Sequence, residues 1–136
     1  MKRLFLTMIA MAAVTASAQT SDYEWEVFTK ALISVESNDN PKAVNPTSGA
    51  VGLFQILPLE HRLAGYLHDW NAHNAKQYTT ADLFEPEVQW LIFNWHTNRY
   101  NKSRNIPKAI KLHNPKAGEW YADRIYIKMQ SIVESE

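Results

Sequence analysis

A chain of 136 residues is long enough for one folded domain with an ordinary hydrophobic core, and its 14 basic and 14 acidic side chains balance to a formal charge of zero. No basic tract breaks that balance, which argues against nucleic acid as a partner. There is no Cys, so disulfides and a lipid-attachment cysteine are excluded.

In chain order, Lys2 and Arg3 give a positive start, residues 4–14 form a short apolar run, and Ala16-Ser17-Ala18 is a small-residue cleavage pattern. The run is well under the roughly 20 residues that span a bilayer. These features predict a signal peptide over residues 1–18 and a single mature domain over 19–136, periplasmic or secreted. Loss of Lys2 and Arg3 leaves 12 basic against 14 acidic side chains.

Ser21-Asp22-Tyr23-Glu24 fits a capping box, and Trp25, Phe28, Leu32 and Val35 follow at helical spacing, so a first helix is predicted to end near Glu36 or Ser37. Asn40-Pro41 and Asn45-Pro46 mark turns. Residues 53–57 are predicted to form a short helical turn stopped by Pro58. Leu59, Leu63, Tyr66, Leu67 and Trp70 predict a second helix, and the polar residues 71–80 a loop. Pro86 opens a third helix, with Val88, Leu91, Ile92, Trp95 and Arg99 along one face. After a loop at 101–105, Pro107 starts a short helix that ends near Asn114-Pro115. Gly118 precedes a last helix on which Tyr121, Ile125, Met129 and Ile132 share a face. No alternation of useful length predicts a strand, and no repeat or linker divides the chain. The fold class is all-α.

Glu36 is the leading candidate for chemistry. It lies four residues after Leu32 and eight after Phe28, on the predicted buried face of the first helix. Burial and the negative end of the helix dipole both favour its protonated form, which suits a general acid. Asp39, three residues on, reads as a solvated turn former. In "SGAVGLFQ" the glycines permit close backbone approach, Gln55 could hydrogen-bond a sugar amide and Phe54 could offer a ring face; neither a phosphate cradle nor a dinucleotide pattern is present. Five Trp, six Tyr and five Phe fill a core and could also line a sugar cleft. The five His form no metal-ligand pattern, so no metal and no cofactor are expected.

Glu36-Ser37, then Asn40-Pro41-x-Ala43, then Ser48-Gly49-Ala50-x-Gly52-Leu53-Phe54-Gln55-Ile56-x-Pro58 resembles the soluble lytic transglycosylase (SLT) domain family of lysozyme-like enzymes, with its E-S pair and G-L-M-Q segment. Phe54 replaces the Met. "LFEPEVQWLIFNW" is similar to the family's L-x-D-P-x-x-N-I helix start, with Glu85 and Gln89 as substitutions. "KLHNPKAG" falls where Y-N-A-G stands, with Asn114 matching and His113 replacing the Tyr. "YADRIYIKM" resembles the closing Y-V-x-K-V helix and makes Tyr126 the matching tyrosine.

The resemblance implies a lysozyme-like helical domain with a catalytic cleft. Glu36 would be its acid/base, and Ser37, Ser48, Phe54, Gln55, Asn114 and Tyr126 its substrate-binding residues. It implies a monomeric lytic transglycosylase that cuts peptidoglycan between N-acetylmuramic acid and N-acetylglucosamine and leaves 1,6-anhydro ends. Similar single-domain members serve envelope-spanning secretion or conjugation machinery. The alternatives are a goose-type-like muramidase that uses water and a non-catalytic peptidoglycan-binding protein of the same fold.

Overall fold

Ser21 starts the first helix from its side chain. Its Oγ accepts the backbone N–H of Glu24 at 3.1 Å and donates to Glu24 Oε1 at 3.0 Å. In the computed structural model, which describes residues 20–136, helix α1 follows over Asp22–Ser37. The helix ends because Asn38 and Asp39 turn to φ of 53° and 60°, the left-handed region that breaks the hydrogen-bond ladder and that Asn and Asp tolerate better than most residues. Helices α2 (Tyr66–His73), α3 (Pro86–Tyr100), α4 (Ile106–His113) and α5 (Glu119–Ser135) follow among the described residues, with a short 3-10 helix over Thr80–Phe84. Among the described residues there is no strand, only isolated bridges from Val51 to Val44 and to Ile56. The protein is all-α, as the periodicities predict. The leader predicted over residues 1–18 lies outside the described residues.

The chain divides into two compact units. Of the described residues, the first combines 20–35 with Asn101–Glu136. Its core holds Phe28 and Leu32 of α1, Ile106 and Ile110 of α4, and Tyr121, Ile125, Met129 and Val133 of α5. The starts of its helices follow from local chemistry. Asn105 Oδ1 accepts the N–H of Lys108 at 2.9 Å and Pro107 sits in the first turn of α4, while Gly118 stands immediately before α5. The Tyr23 phenol donates to the Glu136 carboxylate, joining residues 113 apart in the chain.

The second unit is the continuous segment Glu36–Tyr100. Here α2 packs on α3, and Phe54, Ile56, Leu67, Trp70, Leu83, Ile92 and Phe93 form the core. Three expectations are corrected. Residues 53–57 are not helical. Val51 and Ile56 exchange backbone hydrogen bonds at 3.0 and 3.1 Å, and left-handed Gly52 and Gln55 fold the chain back between them.

The second helix begins at Tyr66, not near Leu59. The N–H of Leu59 is held by Thr80 Oγ1 at 3.1 Å and that of Leu63 by His61 Nδ1 at 3.0 Å, which takes both out of a helical ladder. The buried face of α3 is also different. It carries Gln89, Ile92, Phe93 and Thr97, while Leu91 is 44% exposed.

The turn before α3 has its own lock. Thr79 and Asp82 form a reciprocal capping box, with Asp82 Oδ2 accepting the Thr79 N–H at 2.7 Å. That backbone hydrogen bond, seconded by the Thr79 hydroxyl, holds the Asp82 carboxyl below its ordinary value. The box is therefore at full strength above the usual carboxylate range and is lost as pH falls through the lowered value.

Candidate active site

Glu36 and Ser37 form the last turn of α1 and belong to the second unit. Glu36 is half-buried, whereas Phe28 and Leu32, on the same side of the helix, are fully buried. Ser37 is buried, and its Oγ donates to the carbonyl of Leu53 at 2.9 Å. That bond ties the end of α1 to the folded-back loop, 16 residues on. Asp39 is exposed in its left-handed turn.

The loop is braced from below by Gln89, a residue the sequence presented only as a substitution. Gln89 is 1% exposed, and every polar group of its amide is used. Oε1 accepts the N–H of Phe54 at 3.0 Å, and Nε2 donates to the carbonyls of Val51 at 2.7 Å and Leu83 at 2.8 Å. Gly52 makes room for this amide: a Cβ there would lie 2.5 Å from Gln89 Nε2 and 2.8 Å from the Leu83 carbonyl.

The other expected site residues take different places. Phe54 is fully buried, stacked on Phe93 with centroids 4.1 Å apart and edge-on to Trp90 at 5.0 Å. Its ring packs the core of this unit and is not offered to a ligand as a surface. Gln55 turns its amide onto its own loop: Nε2 donates to the carbonyls of Ala43 at 3.2 Å and Gly52 at 3.1 Å. Ser48 is half-buried and its Oγ accepts the N–H of Ala50 at 3.1 Å. Glu36, Ser37, Ser48, Phe54 and Gln55 thus share the second unit.

Asn114 and Tyr126 stand in the first. Asn114 closes α4, its N–H bonded to the carbonyl of Ile110 at 3.1 Å. Tyr126 is half-buried on α5, and that burial pushes its phenol above the ordinary value.

Sequence reasoning took Tyr66 for a member of a helix face and nothing more. It is the first residue of α2, and its ring lies flat on His96 of α3, with centroids 3.8 Å apart and planes 13° from parallel. Burial pushes its phenol strongly upward, and the negative charge of nearby Glu36 adds to the effect. Only the spacing of Tyr66 and His96 on two separate helices could have hinted at this pairing, and periodicity within one helix does not carry it.

Among the described residues no group of three or more His, Cys, Asp or Glu side chains is placed to hold a metal ion. None of the described helices is long and apolar enough to cross a membrane.

Compared with known proteins, residues 13–110 match the family model of the transglycosylase SLT domain. That domain is lysozyme-like and all-α, in agreement with the five helices of the described residues. The match takes in Glu36, Ser37, Ser48, Phe54 and Gln55 and stops short of Asn114 and Tyr126. No curated protein and no solved structure matches the chain.

Proposed function

From the premise that the chain belongs to the transglycosylase SLT domain family, whose activity is lytic on peptidoglycan and of the transglycosylase type, we propose that it is a lytic transglycosylase with Glu36 as its catalytic acid/base. The observation that carries this reading is the position of Glu36. It is half-buried at the end of α1 and anchored to the motif loop through Ser37. A half-buried carboxyl beside the motif loop is placed to exchange a proton with a ligand bound there.

The reaction needs one acid used twice. Glu36 first protonates the oxygen that leaves the anomeric carbon of N-acetylmuramic acid. The sugar's own 2-acetamido oxygen assists at that carbon, as in the substrate-assisted exceptions to the two-carboxylate rule. The Glu36 carboxylate then takes the proton of the 6-hydroxyl, whose oxygen bonds to the anomeric carbon as the acetamido oxygen leaves. The proton given in the first step is recovered in the second, and no water is consumed. Asp39, exposed in a left-handed turn, has no part in this scheme. Asn114 and Tyr126 are proposed as glycan contacts on the strength of the resemblance.

Mass spectrometry of fragments released from purified peptidoglycan tests the reading. Muropeptides with 1,6-anhydro ends are the expected products. Reducing ends alone would make the protein a hydrolase, and binding to sacculi without release of fragments would make it a glycan-binding protein. The same preparation tests export. The charged start, short apolar run and Ala16-Ser17-Ala18 lead us to expect an exported chain beginning at Gln19. Material retaining Met1 would contradict that expectation.

A further inference from the structure

We propose that the outer face of α3 binds the carboxylate-bearing peptide stems of peptidoglycan, with the Arg99 guanidinium receiving a carboxylate and Leu91 and Trp95 the alkyl part. The proposal deepens the function argued above and rests on it for the choice of ligand.

Val88, Leu91, Trp95 and Arg99 recur at helical spacing, but they are not the face that α3 buries. The core takes Gln89, Ile92, Phe93 and Thr97 instead. The helix thus keeps a second apolar face, on which Leu91 is exposed and Val88 and Trp95 are half-buried. From Leu91 to Arg99 this face runs about 12 Å, at the 1.5 Å rise of a helical residue.

At its end Arg99 is held in place without a charged partner. Its guanidinium lies over the Trp95 ring at 5.7 Å and over the Tyr100 ring at 5.5 Å. Its Nε donates to the Tyr100 hydroxyl at 3.2 Å. Among the described residues no carboxylate pairs with it. The Trp95 ring is fixed in turn. It stands edge-on to Trp70 at 5.5 Å and to Tyr100 at 6.5 Å, with His73 at 5.8 Å. Trp70 is buried, and its indole N–H donates to the carbonyl of Lys76 at 2.7 Å. Asp69, the acidic residue of α2, is occupied by His73 Nδ1 at 3.1 Å. All of these residues belong to the second unit.

A guanidinium whose Nε is engaged still has the N–H groups of both terminal nitrogens, a planar fork that matches the two oxygens of a carboxylate. Held against two rings, it loses little freedom when a ligand arrives. Leu91 and Trp95 beside it offer apolar area for methyl groups. Peptide stems built of alanine and acidic residues carry methyls and carboxylates side by side, whereas the neutral sugars of the strand offer the fork no charge. Lys76 gives a comparison within the same unit: its ammonium lies 5.5 Å from the Tyr78 ring, but a point charge has no fork.

The first arm of the test measures binding and needs no turnover. Protein labelled with 15N is titrated with the tetrapeptide that an amidase releases from purified peptidoglycan. The Arg99 Nε–H and Trp95 indole N–H signals are followed, assigned through Arg99→Gln and Trp95→Phe. Both are expected to shift and saturate. Arg99→Gln and Arg99→Lys should weaken binding about three- to tenfold and Lys76→Gln less than about twofold. The tetrapeptide with its carboxylates amidated should move neither signal. Static signals at about 10 mM tetrapeptide would overturn the proposal. So would equal shifts with the amidated peptide, or an equal loss in Lys76→Gln, which would reduce the effect to net charge. Shifts caused by peptide-free glycan and not by the tetrapeptide would make the face a sugar site and overturn it too.

The second arm is kinetic. On peptide-bearing glycan, kcat/KM of Arg99→Gln is expected to fall about three- to tenfold, with a smaller loss on glycan freed of its peptides. Because Arg99 is exposed, the melting temperature should stay near the wild type's. A loss of the same size on both substrates would contradict stem recognition. If the wild type releases no fragments from either glycan, the function proposed above fails, and the titration still decides whether this face binds the stems.

Discussion

Glu36→Gln is expected to lower turnover by at least about 10²–10⁴-fold, the usual contribution of general acid–base catalysis. The amide keeps the shape of the side chain and part of its hydrogen bonding, but it has no proton to give the leaving oxygen and cannot accept one from the 6-hydroxyl. The Ser37 bond to Leu53 and the left-handed turn at Asn38 that ends α1 do not depend on the Glu36 charge. The melting temperature should therefore stay near the wild type's. Asp39→Asn, in an exposed turn, is expected to cost little. Initial rates on purified peptidoglycan for the three proteins, with the products identified, check both statements. Equal inactivity of the two variants, together with reducing-end products, would replace the single-acid scheme with a two-carboxylate one.

The largest loss of stability is expected at Gln89. Gln89→Leu keeps the volume and strands two buried backbone groups, the Phe54 N–H and the carbonyl of Leu83, and leaves the Val51 carbonyl with only the Ile56 N–H. Each unmet group costs about 1–3 kcal/mol, so a total of roughly 2 kcal/mol or more is expected. For a chain of this size the melting temperature should fall on the order of 10 °C.

Gly52→Ala attacks the same junction from the other side. It forces a side chain onto a backbone with φ of 79° and pushes its Cβ into the Gln89 amide. Because both changes break one set of contacts, the double variant should lose less than the two single losses combined. Denaturant unfolding of all four proteins measures that difference. The loop held by Gln89 also holds Ser37, so Gln89→Leu should in addition lower activity per folded molecule.

These residues also indicate what could be read from the sequence. Helix starts were legible because they are local: Ser21, Pro86, Pro107 and Gly118 each act within a few residues of themselves. Glu36 was legible for a related reason, since its spacing from Phe28 and Leu32 is a property of one helix. The folded-back loop at 51–56 was misread because it depends on a left-handed Gln55, a conformation few non-glycine residues adopt and which here accompanies amide bonds to Ala43 and Gly52. Phe54 was expected to line a cleft, but its surroundings are set by Phe93 and Trp90, more than thirty residues away. The brace at Gln89 and the stack of Tyr66 on His96 were passed over because they arise from contacts between segments, which no pattern along a single helix reports.

The division of the chain has a consequence for the order of assembly. The segment Glu36–Tyr100 is uninterrupted, so everything its core requires leaves the ribosome in one stretch. The first unit is split, and Phe28 and Leu32 of α1 share its core with side chains that emerge only after Asn101. Vectorial delivery therefore leaves α1 waiting, its apolar face uncovered, while the insert is already able to collapse. Closing a loop of that length carries an entropy cost that must be met before the distant contacts stabilise anything. Among the described residues, the stretch from residue 20 to Val35 is thus the one that waits longest for its partners during synthesis.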